Sequence, residues 1–319
     1  MRIKQPMSQK WHILWGVIGI AFLVAIYCYL CYVQKSNNPQ DTRIPNLAQF
    51  KEGFVEITRY RQSELAAMLN PDAPVEPPWL LEDFKATYGR LFKAMVWGSF
   101  LAFFVGVLMG CFEIIEALFG WTLSFLAKVP PTSLLAVFLV LGNIMQWDQG
   151  TMFIVLVGFG IMPTLTQSIF LASKNDPHED EIDKVYSLGA SNLEAVWDIV
   201  VQKIFPKVID GVRLTIGPAM VYLIAAEYSL GHVGFGYTIR FCGRLGEMNV
   251  VYIYIAILGT TGLLLDQGLI LLRKVLCPWY GKGGWKSPYR DVVVKIMKWM
   301  LIGVVLLAFT YKVWGWINA

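Results

Sequence analysis

Residues 151–172 read TMFIVLVGFGIMPTLTQSIFLA, a run without one charged side chain. As a helix it would rise about 33 Å, enough to cross the hydrocarbon core of a bilayer, which takes about 20 apolar residues. Working outward, comparable blocks occupy residues 11–33, 91–111, 121–141, 208–228, 250–272 and 292–317. The 319-residue chain is 56% hydrophobic and 16% charged, against about 45–50% apolar and about 25% charged in a soluble domain. A soluble core would interrupt such blocks with polar residues at helical or strand period. The expected fold is therefore all-α, a polytopic membrane protein with about seven transmembrane helices.

Details within the blocks sharpen this expectation. Residues 121–141 contain Lys128, Pro130 and Pro131, so that span should be kinked or broken near the prolines. Residues 91–111 carry Gly98, Gly106 and Gly110, small residues that permit close helix packing. Gly158 and Gly160, like Gly234 and Gly236, lie in or beside spans, so close packing or a helix break explains them better than a dinucleotide-binding turn. The first block follows a basic stretch, but its apolar run is too long for a secretory leader and no small-residue cleavage site follows, so it should be a retained helix. Trp11, Trp15, Trp121, Trp314 and Trp316 lie near span ends, where interfacial aromatic belts form.

Between the first two blocks, residues 34–87 are polar, with Pro45, Pro71, Pro74, Pro77 and Pro78; Leu47, Phe50, Phe54 and Ile57 recur at helical spacing. An extramembrane segment with short amphipathic helices is expected there. Lysine and arginine near span ends set orientation, because basic loops stay in the cytoplasm. Arg2, Lys4 and Lys10 place the N-terminus inside, as Lys174, Lys184, Lys203 and Lys207 do for the loop after the fourth span. Arg273, Lys274, Lys282, Lys286 and Arg290 form a third inner cluster, and the loop at residues 142–150, which has no basic residue, falls outside. A seventh span would put the C-terminus outside the cytoplasm.

The net charge of +4 is spread over loops, without an aromatic-interleaved basic patch for nucleic acid. Cys28 and Cys31 form a Cys-x-x-Cys spacing inside an apolar run, while Cys111, Cys242 and Cys277, and His12, His178 and His232, stand apart in sequence. No metal site or cofactor is expected from that distribution.

The most informative segment is the loop at residues 173–205. Ser191 followed by Glu194 is a capping box that should start a helix. Leu193, Val196, Trp197, Val200 and Ile204 form one apolar stripe beside Asp198, Gln202 and Lys203, a face suited to a partner's groove. Upstream, residues 183–188 should form a short helix ended by Gly189. The product is a helix, a tight turn and a second helix.

These residues resemble the cytoplasmic signature of the inner-membrane permease subunits of binding-protein-dependent ABC importers: Glu-Ala-Ala, three residues, Gly, then a later Pro and a Gly-Leu-Arg. The chain has Asp183-Lys184-Val185, Gly189-Ala190-Ser191, Pro206 and Gly211-Val212-Arg213-Leu214 at that spacing. It departs from the pattern in its opening triplet and in Gln202, where many members have an earlier proline. Residues 91–110, Lys128-Val129-Pro130-Pro131, Ala225-Ala226-Glu227 and Gly234-Phe235-Gly236 look like the nitrate, sulfonate and taurine branch, and the resemblance covers most of residues 45–276.

The resemblance implies a six-span importer plan, to which this chain adds an extra C-terminal span, with the permease transmembrane core at residues 88–276 holding the cytoplasmic coupling loop 173–205. Around it stand an anchor helix at 1–33, an extramembrane and periplasmic segment at 34–87, and a basic cytoplasmic linker with an extra span at 277–319. It also implies a bacterial inner-membrane location, a second permease copy, a periplasmic solute-binding protein and separate ATPase subunits. The chain itself has no phosphate-binding loop, since Gly281-Lys282 lacks the upstream glycine and strand pattern, and no enzymatic role is expected for it. The ATPase subunits would grip the loop through Asp183, Leu188, Gly189, Ala190, Ser191, Leu193, Glu194, Trp197 and Pro206.

Charges inside spans are costly and often functional, so Lys128, Glu227 and Asp266 are candidates to line the solute path. For each a plain alternative stands: Lys128 snorkelling or bonding carbonyls freed by the prolines, Asp266 sitting near an interface, Glu227 bonding a neighbouring span's backbone. A stand-alone channel or secondary transporter should show intramembrane ion relays or repeats, and a membrane enzyme should show clustered His, Asp or Cys; the sequence displays none of these. The branch favours a small oxyanion such as nitrate, a sulfonate or bicarbonate. A small cationic or neutral nitrogen compound is the alternative, and the lack of an obvious arginine inside the spans argues against direct anion binding by this subunit.

Overall fold

The computed structural model describes residues 9–37, 41–58, 79–176, 179–277 and 280, and every regular element among them is helical. In chain order these are α1 (Gln9–Asn37), α2 (Leu47–Thr58), α3 (Trp79–Cys111), α4 (Glu113–Leu126), a 3-10 turn (Pro131–Leu134) leading into α5 (Leu135–Ile144), and α6 (Gln149–Asn175). Beyond them lie α7 (Glu179–Ser187), α8 (Asn192–Ala195), a π-helical segment (Val196–Val201), α9 (Gln202–Leu230), α10 (Phe235–Leu245) and α11 (Met248–Leu276).

Five stretches are long and apolar enough to cross a membrane: Leu14–Ser36, Trp79–Cys111, Gln149–Asn175, Asn192–Leu230 and Met248–Leu276. The third expected span is broken. Glu113–Leu126 and Pro131–Ile144 meet at 87° and together make a sixth crossing or a re-entrant loop. Pro130 and Pro131 cause the break, because a proline removes a backbone donor and bars helical geometry from the residue before it. The Lys128 and Val129 amides are satisfied within the last turn by Phe125 and Leu126 carbonyls at 3.0 and 3.1 Å. The described residues thus hold five crossings, or six with the bent pair; the expected span at residues 292–317 lies outside them.

The chain divides into two compact units, one drawn from Met1–Gly89 and Ile224–Gly259, the other from Arg90–Leu223 and Thr260–Ala319. In the first, Ile57 of α2, Phe235 and Cys242 of α10, and Val250, Val251, Ile253 and Tyr254 of α11 form the core. Of the apolar stripe expected on α2, Ile57 is 1% exposed while Leu47 and Phe54 turn outward. The approach to α11 is made at Gly53, where a Cβ would come within 3.0 Å of Asn249 Nδ2. Tyr27 of α1 joins this unit through Phe50 and Tyr252, and its hydroxyl donates to the Pro45 carbonyl at 2.6 Å.

In the second unit, α3 and α6 touch along glycines. A Cβ on Gly98 would lie 2.9 Å from the Gly158 carbonyl oxygen, one on Gly106 2.8 Å from Ile169 Cβ, and one on Gly110 2.3 Å from Ser173 Cβ. Lipid tails are as apolar as leucine, so helices in a bilayer associate through packing and hydrogen bonds rather than hydrophobic exclusion. Backbone proximity of this kind is the means available. Trp97, one residue before Gly98, donates its indole N–H to the Ile154 carbonyl at 3.2 Å. Ala102, Val107, Leu165, Ile169, Val200, Val201, Ile204 and Val208 complete the core, so the loop between α6 and α9 is anchored directly in it.

Candidate functional site

The loop after α6 is built from two local capping motifs placed back to back. Gly189 adopts φ +88°; the Ala190 amide reaches back to the Val185 carbonyl at 3.2 Å, and the Gly189 amide to Tyr186 at 2.9 Å. This is the Schellman pattern, which closes α7. Two residues later Ser191 opens α8: its amide donates to Glu194 Oε2 at 2.7 Å, and its hydroxyl oxygen accepts from the Glu194 amide at 3.4 Å. Only Ala190 separates the two caps. Ser191→Ala should cost about 1 kcal/mol of local stability and speed hydrogen exchange at the amides of residues 192–194, whereas Ser191→Thr should not.

Around this turn the apolar side chains split into two sets. Leu188 is 87% exposed, Leu193 76% and Trp197 61%, whereas Ala195, Val200, Val201 and Ile204 are buried. The single stripe expected from sequence is therefore two faces, one outward and one in the core. The change of register occurs at the π-helical segment Val196–Val201, whose extra residue per turn rotates the downstream helix relative to α8. Asp183 is exposed on α7, and Pro206 is buried in α9. Ion pairs pin the flanks: Lys203 to Glu181 at 2.5 Å, Lys174 to Glu116 at 2.7 Å, and Lys207 to Asp176.

The three candidate path charges have different settings. Lys128 is exposed at the break after α4. Asp266 of α11 pairs with Arg213 Nε of α9 at 3.2 Å, and Arg213 also faces Asp210, which is paired with Arg273. Arg213 therefore corrects the expectation that the spans hold no arginine: it lies inside the crossing Asn192–Leu230, held by two carboxylates. The Gly211-Val212-Arg213 stretch carried that signal.

Glu227 belongs to the other unit and is 0% exposed. Both its oxygens accept from the Thr87 hydroxyl, at 3.0 and 2.9 Å, and Oε2 also accepts from the Gly236 amide at 3.2 Å. Thr87 in turn accepts from the Phe235 amide at 2.9 Å. Asp83, one helical turn before Thr87, accepts from the Gly234 amide at 2.9 Å, the Thr238 hydroxyl at 2.5 Å and the Tyr254 hydroxyl at 2.8 Å. Two buried carboxylates thus clamp the turn between α9 and α10. Gly234, at φ +125°, has no room for a side chain: a Cβ would lie 2.5 Å from the Glu227 carboxyl carbon. The roles of Asp83, Thr87, Thr238 and Tyr254 were not legible in the sequence pattern. An Asp and a Thr four residues apart ahead of an apolar block were the available signal.

Comparison with known proteins adds the lineage. No family model matches the chain. It is 25% identical over 203 residues to the taurine transport system permease protein of Escherichia coli (strain K12), covering 64% of this chain and 72% of that one. It is 25% identical over 194 residues to the bicarbonate transport system permease protein of Synechocystis sp. (strain ATCC 27184 / PCC 6803 / Kazusa), covering 60% and 68%. The nitrate import permease protein of the same organism is 20% identical over 281 residues, covering 87% and 94%. Among solved structures, a chain of the MetNI methionine ABC transporter in an inward-facing conformation superposes with a TM-score of 0.57 at 15% identity, covering 67% of this chain and 98% of that one. Its likeness establishes the fold, and the named relatives establish the kinship. The chain is a multi-pass, all-α membrane protein homologous to the permease subunits of ABC importers.

Proposed function

We propose that the chain works in a bacterial inner membrane as one of two permease copies lining the solute path of an importer. Separate ATPase subunits grip its loop at residues 173–205 and a solute-binding protein delivers the cargo. The carrying observation is the outward face of Leu188, Leu193 and Trp197 around a doubly capped turn. Apolar side chains held out on a rigid polar loop are suited to a protein groove. The same loop sends Val200, Val201 and Ile204 into the core beside Leu165 and Ile169. The outward residues are the handle and the inward ones the lever: motion imposed by the motor passes through packed side chains to α3 and α6. ATP closure then biases two arrangements of the spans by differential contacts with each.

Residues 88–276 form the permease core in this reading, with 1–33 as an anchor, 34–87 as a periplasmic segment, and 277–319 as a cytoplasmic linker with a further span. Lys128 and Asp266 are the charges left as path candidates. Glu227, enclosed by Thr87 and Gly236, acts instead by holding the turn. Relatives that carry taurine, bicarbonate and nitrate names favour a small polar solute of that kind.

Gly189→Val tests the loop. Apart from its chain neighbours, a Cβ there would meet no atom within 4 Å, so the substitution acts through the positive φ, which a β-branched residue adopts only with strain. Membrane insertion should be normal while ATP-driven uptake falls at least tenfold, measured in proteoliposomes with the ATPase and the binding protein. Uptake at the normal rate would count against coupling through this loop, and uptake without ATP would support the channel or secondary-transporter class.

A further inference from the structure

Leu193, Val196, Trp197, Val200 and Ile204 fall at spacings of three and four, so in an uninterrupted α-helix they share one face. The structure splits them: Val200 and Ile204 are buried, while Leu193 and Trp197 turn outward, 76% and 61% exposed. The π-helical segment Val196–Val201 makes the division, since one residue added to a helical turn offsets what precedes it by about 100°. The sequence pattern and the observed winding thus describe two registers of the same stretch.

The second register has a place to go. Val196 and Val200 border a cavity of about 400 Å³ that also reaches Cys111, at the end of α3, and Ser173, near the end of α6. At ~30 Å³ per water in the liquid, that volume is room for a large side chain. Ser173 is 4% exposed and its hydroxyl has no hydrogen-bond partner, a cost for a buried group. With Val196–Val201 wound as α-helix and Val200 kept in the core, Trp197, three positions earlier, turns toward this cavity. Its indole N–H, a donor only, then meets an unspent acceptor. We propose that the π segment is a two-register switch: as π-helix it presents Leu193 and Trp197 outward, and rewound as α-helix it folds them inward, Trp197 into the cavity. Resting on the reading that an ATPase grips this loop, the switch makes the grip conditional. The motor binds the outward register alone, so docking shifts the population between two windings, and the inward winding withdraws the handle from a motor-free permease.

Trp197→Cys in the full chain, held in lipid nanodiscs, reads the register through the native Cys111. Dibromobimane becomes fluorescent when it bridges two thiols, and a bridge accumulates the inward winding even where that winding is the minor one. Bridging between positions 111 and 197, located by peptide mass spectrometry, is expected in the motor-free chain. It should vanish when Cys111→Ser is added, and be absent when Leu188→Cys, at a site 87% exposed and ahead of the segment, replaces Trp197→Cys. Deleting Asp198 as well removes the extra residue and leaves an α-helix with position 197 outward, so bridging should slow at least tenfold; deletion of Ile199 makes the same change of register if the first variant does not fold. Saturating ATPase should slow bridging as much. No bridge in the motor-free chain overturns the proposal, as does bridging at an undiminished rate after the deletion. Bridging that responds to the deletion but not to a bound ATPase would overturn the link to the motor, and an ATPase that does not bind at all would sink the importer reading while leaving the two registers standing.

Discussion

Trp197→Ala is expected to release the ATPase while leaving the permease folded. Trp197 is 61% exposed and its ring contributes little to the chain's own core. In a partner's groove, truncating a buried tryptophan typically costs about 2 kcal/mol or more, close to 30-fold in affinity. Leu193→Ala should add to the loss, since the two side chains share the outward face. Val200→Ala is the informative contrast: that residue is 4% exposed and should lower thermal stability by about 1 kcal/mol or more through the cavity it leaves. Affinity for the purified ATPase, measured beside unfolding in detergent, distinguishes the two. If Trp197→Ala bound normally, the outward face would not be the handle.

Gly234→Ala is expected to damage the first unit severely. The added methyl meets the Glu227 carboxyl at 2.5 Å, and φ +125° is closed to alanine. Overpacking and backbone strain each cost about 1–3 kcal/mol, and the shift would also misplace the amide that donates to Asp83. Glu227→Ala alone should also destabilise, because it leaves the buried Thr87 hydroxyl and Gly236 amide without their carboxylate, so the coupling between the two substitutions carries the steric share. Thermal unfolding of the single and double variants resolves the two contributions. A Gly234→Ala protein as stable as the wild type would mean that the turn is not clamped as described.

Legibility in the sequence depended on the distance over which each feature is determined. The long crossings were legible because an apolar run of bilayer length has few other uses, and the break after Leu126 because Pro130 and Pro131 act on adjacent backbone. The turn at Gly189 and Ser191 was legible for the same reason: both caps are closed by residues within five positions. The offset in the stripe from Leu193 to Ile204 was not, because whether Val200 turns inward is decided by Leu165 and Ile169 on another helix. Glu227 could be singled out as a charge among apolar neighbours. Its partner Thr87 lies 140 positions away, and nothing in local periodicity announces such a pair. Arg213 was legible as part of a motif and overlooked as an ion, since its pairing with Asp266 emerges only when α9 and α11 pack.

In the proposed reading the two features act on different parts of the transport cycle: the loop would couple motion to an external motor, its exposed side chains setting affinity and its buried ones transmission. The clamped turn ties the end of α9, α10 and the start of α3 together through backbone amides bound to carboxylates. Charged acceptors make such hydrogen bonds stronger than neutral ones.

The central claim, that this chain is driven by an ATPase it grips through the loop, is tested most directly by native mass spectrometry after gentle detergent extraction from its own membrane. The account predicts ATPase subunits bound to the wild-type chain and missing from the Gly189→Val and Trp197→Ala proteins. A chain that emerges alone, and that conducts its solute passively when reconstituted, would contradict it.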